Sequence, residues 1–310
     1  MRRVAVGAAL LGAALAGLAG ANRRSLAEGI AYLRGLRGWQ PDAVVPVDRA
    51  GPFGVTHALV QADNAGRCRI VQEQLRAAGL EPLALPVAGD PLPNLLVRLG
   101  EGPYTLCVAH YDKSRETPAY QGACDNTASV AALLAAAREL ARRPPARALA
   151  LLFTSGEERG LLGARAFVEW SSRERFPIAA VVNFDMVGRG RLAVRPSAQA
   201  GFFFWLPGLG HLVFDGRQLR RGAPYPLPDR ALVARLHALM GDRLVEYQRF
   251  TAYSDSVLFQ AAGLPTVSIS SDDMAYLDRV WERDADRIEL LDQRSLALAR
   301  ELVLRLGEAV

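Results

Sequence analysis

The chain has 310 residues, half of them hydrophobic, so it can bury an extensive core, and this composition excludes a disordered or collagen-like protein. Its 37 basic and 32 acidic side chains leave a formal charge of +5, too small and too scattered a surplus for a nucleic-acid binder. The basic residues are almost all arginine, Lys113 being the sole lysine.

In chain order, Arg2-Arg3 is followed by an apolar run from Val4 to Ala21, with Ala19-Gly20-Ala21 placed as a small-residue cleavage site before Asn22. Residues 1–21 are therefore expected to be a signal peptide or an uncleaved membrane anchor, followed by a single domain over 22–310. Either form places the body of the protein outside the cytoplasm: periplasmic, extracellular, or anchored to the outer face of the membrane. Contact with a membrane is expected only through this segment.

Helical spacing of apolar residues predicts helices over 26–36 and 67–78, the second ended by Gly79. Short apolar runs at 94–99 and 105–109 suit buried strands, and 129–140 is an Ala/Leu helix stopped by Pro144-Pro145. Then follow a strand at 148–153, a helix at 161–170, a strand at 178–184, helices at 230–240 and 256–262, a strand at 266–269 and a closing helix at 291–306. Strands alternating with helices predict a three-layer α/β/α fold around a central mixed, mostly parallel sheet. Such sheets place their chemistry just beyond strand ends.

Those ends carry a patterned set of polar residues: His110-Tyr111-Asp112, Gly122-Ala123-Cys124-Asp125-Asn126, Gly156-Glu157-Glu158 and Asn183-Phe184-Asp185-Met186. An imidazole gathered with carboxylates and no cysteine suits a zinc site of nitrogen and oxygen ligands. The three cysteines, Cys68, Cys107 and Cys124, form no CxxC pair and read as buried small hydrophobes. Cys124 has no histidine placed to activate it, so packing is expected there as well. The stretches around Gly188-Arg189-Gly190 and Gly208-Leu209-Gly210 read as turns, and the aromatic run Phe202–Trp205 as core in preference to a lid.

Taken together and in this order, the four motifs resemble the zinc-dependent aminopeptidases of family M28, whose relatives include glutaminyl cyclases and the peptidase-like domain of transferrin receptors. The resemblance spans roughly residues 90 to 295. It implies a zinc exopeptidase-like fold, two zinc ions, and N-termini of peptides or proteins as substrates. By position it makes His110 and Asp185 ligands of one metal, Asp125 the bridging carboxylate, Glu158 a ligand of the second metal and Glu157 the general base. Asp112 would accept the second imidazole proton of His110 and fix its tautomer. A cis peptide after Asp125 is part of the same resemblance.

One position departs. Family members carry a final histidine in a segment similar to Val-Trp-His, with Asp four residues on; here Val280-Trp281-Glu282 stands there, with Asp286 four on. Glu282 is thus the expected last ligand. Asp125, Glu158 and Glu282 would form an all-oxygen shell, which suits harder ions such as manganese, magnesium or calcium, so that the second site is left vacant by zinc or filled by another divalent ion. His57 and His237 have no ligand-spaced partner; His211, in a Gly-rich insertion, is the least unsuitable substitute. Three functions follow: an exported metallo-aminopeptidase; a glutaminyl-cyclase-like acyltransferase, for which Asp255 in Tyr253-Ser254-Asp255 matches a carboxylate that such cyclases use; and a non-catalytic peptidase-like binding module.

Overall fold

The computed structural model describes residues 43–195, 228–247 and 253–308, the backbone of 203–206 and 210–213, and isolated helical positions before residue 43. The segment expected to be a signal or anchor, most of the helix expected over 26–36, and the side chains of Phe202–Trp205 and His211 lie outside the described residues. Among the described residues, no helix is long and apolar enough to cross a membrane.

The sheet has eight strands: β1 (Leu83–Leu85), β2 (Asn94–Leu99), β3 (Tyr104–His110), β4 (Leu149–Thr154), β5 (Ile178–Phe184), β6 (Leu192–Arg195), β9 (Leu244–Glu246) and β10 (Thr266–Ser271). They lie in the order β1-β2-β4-β3-β5-β10-β6-β9, while β7 (Phe203–Leu206) and β8 (Gly210–Val213) pair as a separate antiparallel hairpin. The heart, β4-β3-β5-β10, is parallel, and antiparallel pairing begins at β2 on one side and β6 on the other. β3 is buried along its whole length, as a strand covered on both faces must be, which is why its centre, Leu106–Ala109, is an unbroken apolar run with no alternation.

Helices cover both faces. On one side Cys107, Ala109, Leu151, Phe153 and Val182 pack against α3 (Ala128–Arg142), α5 (Arg230–Met240) and α8 (Gln293–Leu306). On the other, Leu106, Val108, Leu152 and Val181 meet Phe167 of α4 (Leu162–Arg173) and Phe259 of α6 (Ser256–Ala261). The small side chains of α3, buried from Ala128 through Ala137, let this helix lie close against the sheet.

Where boundaries differ from the sequence reading, capping explains the shift. After α1 (Thr56–Leu59), the helix expected from Arg67, α2 (Asn64–Ala77), begins at Asn64 because the Asp63 carboxylate accepts the Gly66 N–H at 2.6 Å, and α8 begins at Gln293 because Asp292 accepts the Arg294 N–H at 2.9 Å. The short strands β1, β6 and β9 and helix α7 (Met274–Val280) were not expected. Three- and four-residue strands offer no periodic window to read.

Candidate metal centre

The chain runs from β3 to β4 on one side and then to β5 on the other, so the strand order reverses at β3 and a crevice opens at its C-terminal end. His110 is the last residue of β3 and pairs in register with Thr154 at the end of β4, while Asp185 follows the last residue of β5. The topology therefore delivers His110, the Glu157-Glu158 loop and Asp185 to one edge of the sheet.

The imidazole is oriented from both sides. Its Nδ1 lies 3.2 Å from the Asp112 carbonyl oxygen and 3.5 Å from Asp112 Oδ1. Both are acceptors, so Nδ1 donates and Nε2 is turned inward. Nε2 stands 3.3 Å from Asp125 Oδ1 and 3.7 Å from Asp185 Oδ1. Ligand atoms of His110, Asp125 and Asp185 all lie within 4.8 Å of one another, and so do those of His110, Glu157 and Glu158. Burial alone pushes His110 down, but Glu157, Asp112, Asp125 and Asp185 hold it well above the ordinary histidine range.

Asp125 sits in an irregular turn, Ala123–Thr127, entered through Gly122 in the left-handed region (φ 58°); the Asp125–Asn126 peptide is cis. Three side chains hold this turn. The Asp286 carboxylate accepts the N–H groups of Cys124 (2.7 Å) and Asp125 (3.0 Å). The Asn126 amide donates to Phe184 O (2.9 Å) and accepts the Met186 N–H (3.2 Å), bracketing Asp185 and bringing it opposite Asp125. Arg67, 1% exposed, donates to the carbonyls of Leu59, Tyr111, Gln121 and Gly122, tying α2 to the turn. Burial brings Arg67 down to about 10, so it stays cationic at neutral pH and faces Asp112, Asp125 and Asp286. Neither Arg67 nor Asp286 was assigned a role from sequence. Only the folding of distant segments brings them to the turn.

Glu157 and Glu158 follow β4 in a loop whose first turn needs Gly156 at φ 66°. The two oxygens of Asp112 accept their N–H groups, each at 3.2 Å. Asp112 thus orients His110 and both glutamates. Burial pushes Glu157 well above the usual carboxylate range and Glu158 up to about 9, with the neighbouring carboxylates adding to the rise. Glu158 Oε1 is buried with no hydrogen-bond partner. An orphaned carboxylate oxygen in a ring of carboxylates around one imidazole is a site that a divalent cation fits, because the cation replaces repulsion with ligation.

Glu282 is not drawn into either ligand cluster. It is exposed, has φ 51°, and its carbonyl accepts from Arg115 Nη2 at 2.9 Å. His57 lies 2.8 Å from the Val47 carbonyl through Nε2, and His237 is on α5, neither of them in a ligand cluster. The three cysteines are free and buried. Asp255 is completely buried: Oδ2 accepts the Thr154 hydroxyl at 2.5 Å, Oδ1 has no partner, and burial raises the group to about 7.

A probable zinc metalloprotease of Pyrenophora tritici-repentis (strain Pt-1C-BFP) is 36% identical over 93 residues, covering 28% of this chain and 21% of that protein. The chain therefore matches about a fifth of the length of this relative. Among solved structures, the LapA aminopeptidase of Legionella pneumophila is similar with a TM-score of 0.66 at 16% identity, covering 90% of this chain and 74% of that one. An Acidobacteriales bacterium glutaminyl cyclase is similar with a TM-score of 0.60 at 16% identity, covering 86% and 96%. At such identities these two show a shared fold. The model of Peptidase family M28 matches residues 94–307, well over half of the chain and all of the motifs that converge at the end of β3, and the chain belongs to that family.

Proposed function

We propose that the chain is an exported zinc aminopeptidase, with residues 22–310 forming one peptidase domain. The observation that carries this reading is the convergence of His110, Asp125 and Asp185 within 4.8 Å of one another beside the Glu157-Glu158 loop. His110, Asp125 and Asp185 would hold one zinc ion, and Asp125 with Glu158 a second. Bound there, zinc supplies Lewis acidity that makes water nucleophilic near neutral pH and polarises the scissile carbonyl.

The chain's own residues do the rest. Glu157 collects the proton of the attacking water and passes it to the leaving amine. Asp112 keeps Nε2 of His110 facing the ligands and fixes the backbone from which Glu157 projects. Export is supported by Arg2-Arg3 and the apolar run to Ala21.

The test pairs metal analysis with hydrolysis of short peptides carrying free or acetylated N-termini. Retained zinc and cleavage restricted to free N-termini are expected. No retained metal after zinc or manganese is supplied would favour the binding-module reading instead. A cyclase reading is favoured by one feature, the buried Asp255 with its unpartnered Oδ1. Ammonia release from peptides beginning with glutamine, without hydrolysis, would select it.

A further inference from the structure

Asp90 lies in the turn between β1 and β2, outside every motif discussed so far, and its side chain is 2% exposed. Oδ1 is used locally, accepting the Leu92 N–H at 2.8 Å. Oδ2 reaches another part of the chain. It accepts the Ser155 hydroxyl at 3.0 Å and forms an ion pair with Arg159 Nη2. Ser155 is two residues before Glu157 and Arg159 two residues after, so one carboxylate oxygen gathers both ends of the arc that carries the two glutamates.

The arc rests directly on this oxygen. A Cβ at Gly156 would fall 2.5 Å from Asp90 Oδ2, so glycine is needed there for space as well as for its φ of 66°. Asn94 Oδ1 accepts the Ser155 N–H at 3.0 Å, adding a second tie from the same segment. Asp112 takes the N–H groups of Glu157 and Glu158. The segment 155–159 is thus held by two carboxylates, Asp112 at the backbone of both glutamates and Asp90 at Ser155 and Arg159.

We infer that Asp90 and Arg159 are positioning residues that brace the loop carrying Glu157 and so set its aim. The inference rests on Glu157 acting as the base, as proposed above. A proton acceptor displaced by a fraction of an ångström loses much of its effect, so a brace that fixes its backbone acts on turnover more than on substrate affinity. Arg159 has a half-exposed side chain, so its replacement leaves the buried core untouched.

The experiment compares Asp90→Asn, Arg159→Gln, Arg159→Lys and the Asp90→Asn/Arg159→Gln pair in the full chain. Asparagine keeps one oxygen to accept the Leu92 N–H but puts an amide NH2, which can accept from neither Ser155 nor Arg159, in place of Oδ2. We expect kcat to fall about tenfold in Asp90→Asn and in Arg159→Gln, with KM within about twofold and retained metal unchanged. The pair should be no worse than the poorer single variant, and Arg159→Lys should recover most of the loss. Hydrogen exchange at the amides of 156–160 should quicken in both single variants, a readout that needs no turnover.

Unchanged exchange and unchanged kcat in folded Arg159→Gln would overturn the brace, as would losses that multiply in the pair. If Asp90→Asn does not fold, Arg159→Gln decides alone. A wild-type protein that hydrolyses nothing would defeat the peptidase reading, and the exchange measurement would still decide whether the brace exists.

Discussion

The two sides of the centre are built to different degrees of completeness. Around His110, each side chain is fixed by another: Asp112 turns the imidazole, Asn126 brackets Asp185, and Asp286 holds the turn bearing Asp125. Around Glu158 the side chain is less completely held. Its Oε1 has no partner, and Glu282, placed by resemblance as the last ligand, is exposed on a segment whose carbonyl is pinned by Arg115. The contrast predicts that an ion held by His110, Asp125 and Asp185, whose side chains are already oriented, is bound more tightly than one held by Asp125 and Glu158.

The sharpest way to break the comparison is at the base between the two sides. Glu157→Gln is expected to lower kcat by about 100-fold or more while the thermal melt and the retained metal stay near wild type, measured on peptides with free N-termini. Full activity in that variant would remove Glu157 from the chemistry. Next, Asp185→Asn should abolish the tightly held ion, whereas Glu158→Gln should keep it, as measured by metal content after gel filtration. Loss of all metal from Glu158→Gln and none from Asp185→Asn would reverse the assignment of the two sides.

A gain is expected from Glu282→His. Wild type should retain about one ion per chain and the variant close to two, because a neutral imidazole supplies zinc with a ligand it prefers to a third carboxylate. Two tightly held ions in wild type would show that Glu282 swings inward and serves as the last ligand.

The smallest expected effect is on stability against pH. Burial raises Asp255 and Asp286 to about 7, with Asp286 partly relieved by the N–H groups of Cys124 and Asp125. Burial pushes His110 down, but Glu157 and its three aspartate neighbours hold it well above its ordinary value. A carboxyl whose folded pKa exceeds its unfolded value weakens the fold as pH rises from about 4 to about 7. A histidine raised in the folded state likewise loses its stabilisation as pH climbs through its folded value. Both signs agree. Chelator-treated protein should melt higher near about pH 5.5 than near about pH 8, and added zinc should reverse the slope, because ligation requires deprotonated groups.

Strands of the parallel heart were legible because a strand buried on both faces reads as an apolar run, as Leu149–Phe153 of β4 and Ala180–Val182 of β5 do. The clustered residues could be read from sequence because they lie at or just beyond strand ends: His110 closes β3, Asp185 follows β5, and Glu157-Glu158 come shortly after β4. What escaped were the groups that act from a distance. Arg67 stood at the start of an amphipathic pattern, where a long cation reads as solvated, yet it is among the most buried side chains. Asp90 lies in a Gly-Asp-Pro turn, where an aspartate is ordinary local chemistry. Asp286 was noticed only for its distance from Glu282. A carboxylate that accepts two backbone N–H groups 161 and 162 residues away leaves no trace in local spacing.

Arg67 has a practical consequence. Likeness to the family begins at residue 94, and a fragment cut there would retain every presumed ligand. It would also lose the guanidinium that gathers the carbonyls of Tyr111, Gln121 and Gly122, along with the carboxylate of Asp90. Such a fragment would carry the clustered groups on a scaffold with its keystone removed, so residues 94–307 alone are expected to hold those groups less firmly than the full chain does.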